Sequence, residues 1–389
     1  MLPEFTQAPA DDLISFINTS LLRSPRHGYF VEELLPYVPE AALDTLAARW
    51  VATLASEGST PAIDLLFAHL SLQRPGALQP YLGSLFDLPP NEGCYPENWP
   101  WREAPDDAVD SLAVQLHETT DPEVKNKAFN CLLETRSPAA LAICAEYAGQ
   151  NELVYPFYLE EIGYGADQEA LYTSASSHLI FPDGYFDPPT YPGSLRGLHP
   201  TWHLGQQGQP LRFGGNGAGS CGLCQHPLHH LLDIPEDRVG ISNRQQVIAL
   251  QTCLSCLGWE NAELSYQYDE VGGIASLNQG VCIPQFPARP LKECHLHLAN
   301  TPSRWRWQDW GLSNSNENLH RVGGYPSWIQ SAEYPSCPVC QQKMHFMLQL
   351  DSGLPTAQDG YDWLWGSGGI CYGFSCASCR VVAYAWQCT

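Results

Sequence analysis

Eight of the fifteen cysteines in this 389-residue chain fall into four C-x-x-C pairs: Cys221 with Cys224, Cys253 with Cys256, Cys337 with Cys340, and Cys376 with Cys379. Two residues between cysteines let both sulfurs and the knuckle N–H groups converge on one ion. Two such knuckles then complete the tetrahedron of thiolates that zinc favours in structural sites. The spacing predicts two structural zinc ions, one held by Cys221, Cys224, Cys253 and Cys256, the other by Cys337, Cys340, Cys376 and Cys379. The 28 and 35 residues between the paired knuckles leave room for two strands each, as a zinc ribbon requires. The competing readings are buried apolar cysteines or a redox couple, and a thioredoxin-like couple would need a βαβ context that the flanking sequence lacks. Zinc closed by four thiolates has no vacant position for water, so metal-assisted hydrolysis is not expected. Cys282, Cys294, Cys371 and Cys388 have no partner at this spacing and are expected in the core. His229 and His345 each stand five residues after the second cysteine of a knuckle. With four thiolates already present, both are expected as strand histidines, not ligands.

The knuckles belong to a longer repeat. CGLCQHPLHHLLDI from Cys221 and CPVCQQKMHFMLQL from Cys337 align without a gap and share Cys, Cys, Gln, His and Leu. HPTW (His199 to Trp202) precedes one copy and YPSW (Tyr325 to Trp328) the other; TCLSC (Thr252 to Cys256) follows one and SCASC (Ser375 to Cys379) the other. An internal repeat decides fold class before local propensity does. We expect two sub-lobes related by a pseudo-two-fold axis, each a small sheet with a knuckle at one end. Trp202 and Trp328 should pack beside their knuckles in equivalent places.

Two kinds of element surround these motifs. Up to about residue 165 the apolar residues recur at helical spacing, in DDLISFINTSLL, AALDTLAARWVATLA, PAIDLLFAHLSL, DAVDSLAVQLHE, DPEVKNKAFNCLL and SPAALAICAEYA. Asp11 or Asp12 is the expected cap of the first helix. The Asp-Pro and Ser-Pro starts at Asp121 and Ser137 place proline where the helix has no use for its N–H. Short paired helices suit either a HEAT-like solenoid or a plain bundle. Beyond that point YFDPPTYPGSLRGLHPTW is rich in Pro, Gly and Tyr. QQVIALQTC, AELSYQYD, MHFMLQL, ICYGFSC and RVVAYAWQC then read as strands of an antiparallel sheet. The expected fold class is α+β: an N-terminal all-α (HEAT-like or bundle) domain over 1–165, a linker and strand lead-in over 166–198, and a duplicated antiparallel β-rich domain with two zinc-ribbon-like knuckles, its repeats spanning 199–300 and 301–389.

The formal net charge is −23, and residues 1–165 carry 24 acidic against 8 basic side chains. Such a field repels nucleic acid and anionic membrane and favours basic proteins, although acidic surfaces also serve solubility alone. RWRWQDW (Arg304 to Trp310) could stack on single-stranded bases, but arginine stems covering tryptophan fit the charge better. GAGSCG (Gly217 to Gly222) spells a dinucleotide fingerprint, yet runs into a knuckle instead of a helix. No H-E-x-x-H or G-x-S-x-G occurs, and Glu160 and Glu161 are adjacent on a helix and point apart. No enzyme is expected from this set. The N-terminal MLPEFTQAPADD has neither a basic nor an apolar leader region, no apolar run approaches a membrane span, and the cysteine spacing suits metal in a reduced compartment, so the expected location is the cytoplasm.

RVGGYPSWIQ (Arg321 to Gln330), CPVC, MHFMLQLDS (Met344 to Ser352), WGSGGICYGFSCASC and AYAWQC together resemble the YwqG-like bacterial proteins and the related programmed cell death protein 2 family. Members carry a G-G-x-P-x-W motif, a C-P-x-C knuckle, an M/L-x-F-L-L-Q strand and a later C-x-x-C. The resemblance covers Arg321 to Thr389 and, more weakly, Ser194 to Leu257. The first copy departs from it, with Leu198, His199 and Pro200 where Gly-Gly-x-Pro is expected, and the helical part lies outside it. The resemblance implies a duplicated β-rich domain built to bind protein: in eukaryotes a chaperone for a basic ribosomal protein, in bacteria an immunity protein against a polymorphic toxin. The expectation is a non-catalytic, cytoplasmic immunity protein, monomeric when unbound, whose partner is a basic toxin domain. A ribosomal-protein chaperone stands as the alternative and an RNA- or nucleotide-processing enzyme as the second.

Overall fold

A computed structural model describes residues 8–24, 28–88, 98–186, 196–258, 260–313, 316–358 and 360–389. The start of the N-terminal stretch and most of the Pro- and Tyr-rich lead-in (187–195) lie outside these residues. The chain divides into two compact units. One comprises Met1–Gln168, Gly197–Pro200 and Pro302–Asn316, the other Glu169–Arg196, Thr201–Thr301 and Glu317–Thr389.

The first unit is helical. Its helices are α1 (Ala10–Arg23), α2 (Tyr29–Leu34), α3 (Glu40–Glu57), α4 (Pro61–Gln73), α5 (Leu82–Phe86), α6 (Asp106–Glu118), α7 (Pro122–Thr135), α8 (Pro138–Gln150) and α9 (Tyr155–Glu161). The longer helices α1, α3 and α6 each follow an apolar stripe. On α1, Leu13, Ile17 and Leu21 are buried, and on α3, Leu43, Leu46, Trp50 and Leu54. The α4 helix is buried nearly all round and serves as the centre of this core. The Asp121 side chain accepts the Glu123 N–H and that of Ser137 the Ala140 N–H, with Pro122 and Pro138 opening their helices. The first helix corrects the expected cap. Its N-cap is Pro9, without a side-chain bond, and Asp11 and Asp12 sit in the first turn, where they act on the helix dipole.

RWRWQDW belongs to this helical unit. The buried Arg304 guanidinium donates to the Val38 and Leu35 carbonyls, each at 2.6 Å, and to Gln73 Oε1 at 2.7 and 3.0 Å. Arg102, Arg136 and Arg306 lie over the Trp307 ring, and Arg306 pairs with Glu103. Arginine stems covering indole, not free stacking surface, is what the segment provides.

The second unit is antiparallel β. Its strands are β1 (Ser176–Ile180), β2 (Gln207–Phe213), β3 (Asn216–Ser220), β4 (Pro227–Pro235), β5 (Val247–Thr252), β6 (Glu263–Tyr268), β7 (Ile274–Ser276), β8 (Cys294–Asn300), β9 (Arg321–Gly323), β10 (His345–Asp351), β11 (Leu354–Pro355), β12 (Asp362–Trp363), β13 (Ile370–Cys376) and β14 (Val381–Gln387). Among the described residues twelve of them form one sheet, in the order β3-β4-β2-β8-β1-β9-β10-β13-β14-β6-β7 with β5 beside β4, while β11 and β12 pair separately. This replaces the two small sheets expected from the repeat. The sheet is continuous because β8 lies between β2 and β1, and β1 between β8 and β9. The sheet curls in a barrel-like way: Tyr268 Oη donates to the Ala249 carbonyl of β5 at 2.9 Å, and Tyr266 Oη accepts the Cys253 N–H at 3.0 Å.

Candidate metal centres

The first pair of knuckles flanks the β4–β5 hairpin, with Cys221 and Cys224 ahead of β4 and Cys253 and Cys256 behind β5. The second is placed on β10–β13 in the same way, with Cys337 and Cys340 ahead of β10, Cys376 at the end of β13 and Cys379 just beyond it. In an antiparallel pair the start of one strand and the end of the other lie at the same end, so each hairpin delivers four sulfurs to one place. Within each group of four the sulfurs lie within 4.8 Å of one another.

The register that achieves this is the same twice. His229 faces Thr252 and Pro235 faces Val247; at the equivalent positions of the second hairpin, His345 faces Ser375 and Asp351 faces Ile370. Each hairpin carries one bulge, at Leu231 and at Met347, both seven residues beyond the second cysteine of their knuckle and both buried. A bulge re-aims every side chain after it, so its recurrence keeps both knuckles at the same attitude.

The knuckle backbones match as well. Cys221 N–H donates to His226 O at 2.9 Å and Cys337 N–H to Gln342 O at 2.8 Å; Gln225 N–H donates to Cys221 O at 3.0 Å and Gln341 N–H to Cys337 O at 2.8 Å. Gln225 and Gln341 both take positive φ, at 62° and 63°, and each side-chain amide donates back across its turn, to Gly222 O and Pro338 O. That left-handed conformation is uncommon away from glycine. The glutamine shared by the two sequence copies is therefore a knuckle-closing residue, a role its recurrence could have disclosed.

Four sulfurs at about 2.3 Å from a central ion span tetrahedron edges of about 3.8 Å. Cys224 and Cys253 sulfurs stand 3.6 Å apart, and those of Cys340 and Cys376 3.7 Å apart. These are ligand separations and far longer than a disulfide. The donor set and spacing fit a tetrahedral, thiophilic ion. The electrostatics fit as well. A hydrogen bond from Cys253 lowers the Cys221 thiol to about 5, while the same bond pushes Cys253 up. Backbone N–H donation by Gln342 lowers Cys340 to about 7. One thiolate in such a cluster opposes the next, so four together call for a cation.

His229 is buried and accepts the Leu254 N–H at Nδ1, 3.1 Å away, bracing the second knuckle from the strand opposite; His345 is exposed. Of the remaining cysteines in this unit Cys371 is buried, whereas Cys282, Cys294 and Cys388 are only half-buried, correcting the expectation that all four line the core. Trp328 packs on Tyr334, Tyr372 and Phe374, close in sequence to Cys337 and Cys376. Trp202 instead packs on Phe186 and His320, so the two tryptophans have different surroundings. GAGSCG forms β3 and the first knuckle, with Gln251 Oε1 accepting the Ala218 N–H at 2.7 Å, and no helix follows it. No described helix is long and apolar enough to cross a membrane.

No family model matches the chain, and no solved structure matches it. The chain is 26% identical over 187 residues to the uncharacterized protein YpfL of Salmonella typhimurium, covering 43% of this chain and 39% of that protein. It thus spans well under half the length of this curated relative.

Proposed function

We propose that the chain is a non-catalytic protein-binding module whose β unit is a duplicated scaffold stapled by two zinc ions, and that it serves as an immunity protein for a basic toxin domain. The observation that carries the reading is the pair of closed four-thiol clusters on hairpins of identical register. Four thiolates suit zinc in a structural role and leave no coordination position for a substrate.

The strand pairings support the duplication further. Taking β1–β7 and β8–β14 as the two copies, β2–β4 corresponds to β9–β10, and β4–β5 to β10–β13. The copies meet in β1–β8 and β6–β14, both antiparallel, as strands related by a two-fold axis must be. Ala383 faces Ser265, with Gln267 opposite Val381 and Glu263 opposite Ala385 symmetrically about that pair. Each copy's first strand is exchanged: β8 pairs with β2 of the other copy, and β1 with β9. Each hairpin with its knuckles then has the build of a zinc ribbon. The immunity role rests on the resemblance to YwqG-like proteins and on the charge of −23, which complements a basic, nucleic-acid-directed toxin.

The purified, reduced chain should contain two zinc ions; a ratio near zero under chelator-free conditions overturns the scaffold. Coexpression with a toxin domain encoded beside it should restore growth and yield a stoichiometric complex. Failure to protect growth overturns the immunity role, and a specific complex with a ribosomal protein would replace it by a chaperone role.

A further inference from the structure

The chain between β7 and β8 crosses the first knuckle as a strap. Gly280 N–H donates to Gly222 O at 3.2 Å and Cys282 N–H to Leu223 O at 3.1 Å. Gln285 N–H reaches Glu260 Oε1 and Ala288 N–H reaches Ser255 Oγ, each at 2.9 Å. The approach is close: a Cβ on Gly222 would stand 2.2 Å from the Asn278 carbonyl oxygen. The strap is thus pinned to both knuckles of the first cluster.

Its outer side is apolar and open. Val281 is 95% exposed, Ile283 89% and Phe286 57%. Single exposed apolar residues are ordinary, but three within six positions on a fixed segment mark an interaction surface. Val281 to Pro284 contains no helix, turn or bend. Val281 and Ile283 alternate with the pinned Gly280 and Cys282 and are both strongly exposed, so they face away from the knuckle together. The N–H groups of Gly280 and Cys282 are spent on the knuckle, whereas those of Val281 and Ile283 form no backbone hydrogen bond among the described residues. These two N–H groups give the strap a short backbone edge with donors to offer, although the segment is not itself a strand. From Gln245 to Ala288 the sequence has no Lys, Arg or His and carries Glu260, Glu263, Asp269 and Glu270, with Arg289 the first cation beyond.

We propose that Gly280–Pro284 is a docking edge to which an extended segment of a basic partner protein adds as a strand, its alternate apolar side chains covering Val281, Ile283 and Phe286. The proposal rests on the protein-binding reading and names its surface. Main-chain bonds supply affinity in this mode, and alternate side chains supply specificity. The zinc-stapled knuckle holds the edge in place beforehand, which lowers the entropic cost of binding.

A fluorescent synthetic peptide alternating lysine and valine should bind the full-length, zinc-loaded chain in anisotropy titrations, and its glutamate–valine counterpart should not. The triple variant V281S/I283S/F286S should weaken binding about tenfold or more, with unchanged zinc content and thermal midpoint. Val281→Pro, which removes an N–H with no backbone partner among the described residues, should weaken it comparably, whereas Val281→Thr, which keeps that N–H, should not. Equal binding to wild type and triple variant, equal binding of both peptides, or no binding to wild type overturns the docking edge. None of these outcomes touches growth protection or zinc content, on which the binding-module reading is judged.

Discussion

At the scale of single residues, the cysteines placed to hold a metal ion are distinct from the groups that keep their turns in shape. Cys376 ends β13 and faces Cys340, so Cys376→Ser should lower the zinc content from two to about one and destabilise the β unit by on the order of several kcal/mol. Cys371→Ser, on the same strand but outside the cluster, should leave zinc content at two, as metal analysis of both variants would show. Arg380, next to Cys379, illustrates the supporting class. It takes φ of 53° and its guanidinium bonds the buried Glu236 carboxylate at 2.6 and 3.1 Å, with Arg244 on the same carboxylate at 3.1 Å. Bonding to Arg380 holds Glu236 at about 2, below its ordinary 4.5. The folded state therefore prefers the charged carboxylate, and the stability this gives is complete above about 4.5 and lost as pH falls toward 2. Glu236→Gln should cost on the order of 3 kcal/mol near neutrality, where it strands two guanidinium groups. Urea midpoints of the two proteins should converge as pH falls through that window. A constant difference down to the lowest pH would show that the carboxylate charge contributes nothing.

At the scale of elements, Arg304 shows why the helical unit is not the first 165 residues alone. Its guanidinium satisfies the carbonyls at the end of the α2 region and the side chain of Gln73 at the end of α4. Arg304→Ala leaves these acceptors buried without a donor, at about 1–3 kcal/mol for each unsatisfied group. Thermal unfolding followed at a helical wavelength should shift down, while Arg306→Ala, at a half-exposed pair with Glu103, should shift it far less. Nothing in the sequence announced that a segment more than two hundred residues away would be needed. The helices α1, α3, α4, α6, α7 and α8 were legible from apolar residues at helical spacing, and α7 and α8 also from their caps, whereas the short α2, α5 and α9 were not. The hairpins β4–β5 and β10–β13 were legible for a different reason: the repeat fixes which residues stand in equivalent places, although it did not announce the bulges at Leu231 and Met347. The placement of β1 and β8 between β2 and β9 was not legible. The partners of His178 are Ala299 and Arg321, and two short strands with mixed patterning give no hint of pairings that remote. Side-chain periodicity tells which face is buried; it does not tell which neighbour lies alongside.

At the scale of the whole molecule, the proposed binding role would divide its work between long-range charge and local contact. Residues 1–165 carry 24 acidic and 8 basic side chains, whereas the strap offers an aliphatic and aromatic surface. Opposite charges accelerate encounter, and that attraction is screened beyond about 8 Å at physiological salt. Desolvated apolar anchors set how long a complex lasts, since they carry most of the binding energy. With a basic cognate partner, raising salt from low to physiological strength should slow association severalfold and change dissociation little. Reversing Asp106, Asp107 and Asp110, all exposed on α6, to lysine should slow association in the same sense if that face lies toward the approaching partner. These residues begin the helix, where negative charge favours the dipole, so the thermal midpoint of the variant must be read alongside its kinetics. Serine at Val281, Ile283 and Phe286 should do the opposite, raising the dissociation rate while leaving association and its salt dependence intact. An association rate indifferent to salt would mean that the acidic surface serves solubility alone, and affinity would then rest on the strap without steering.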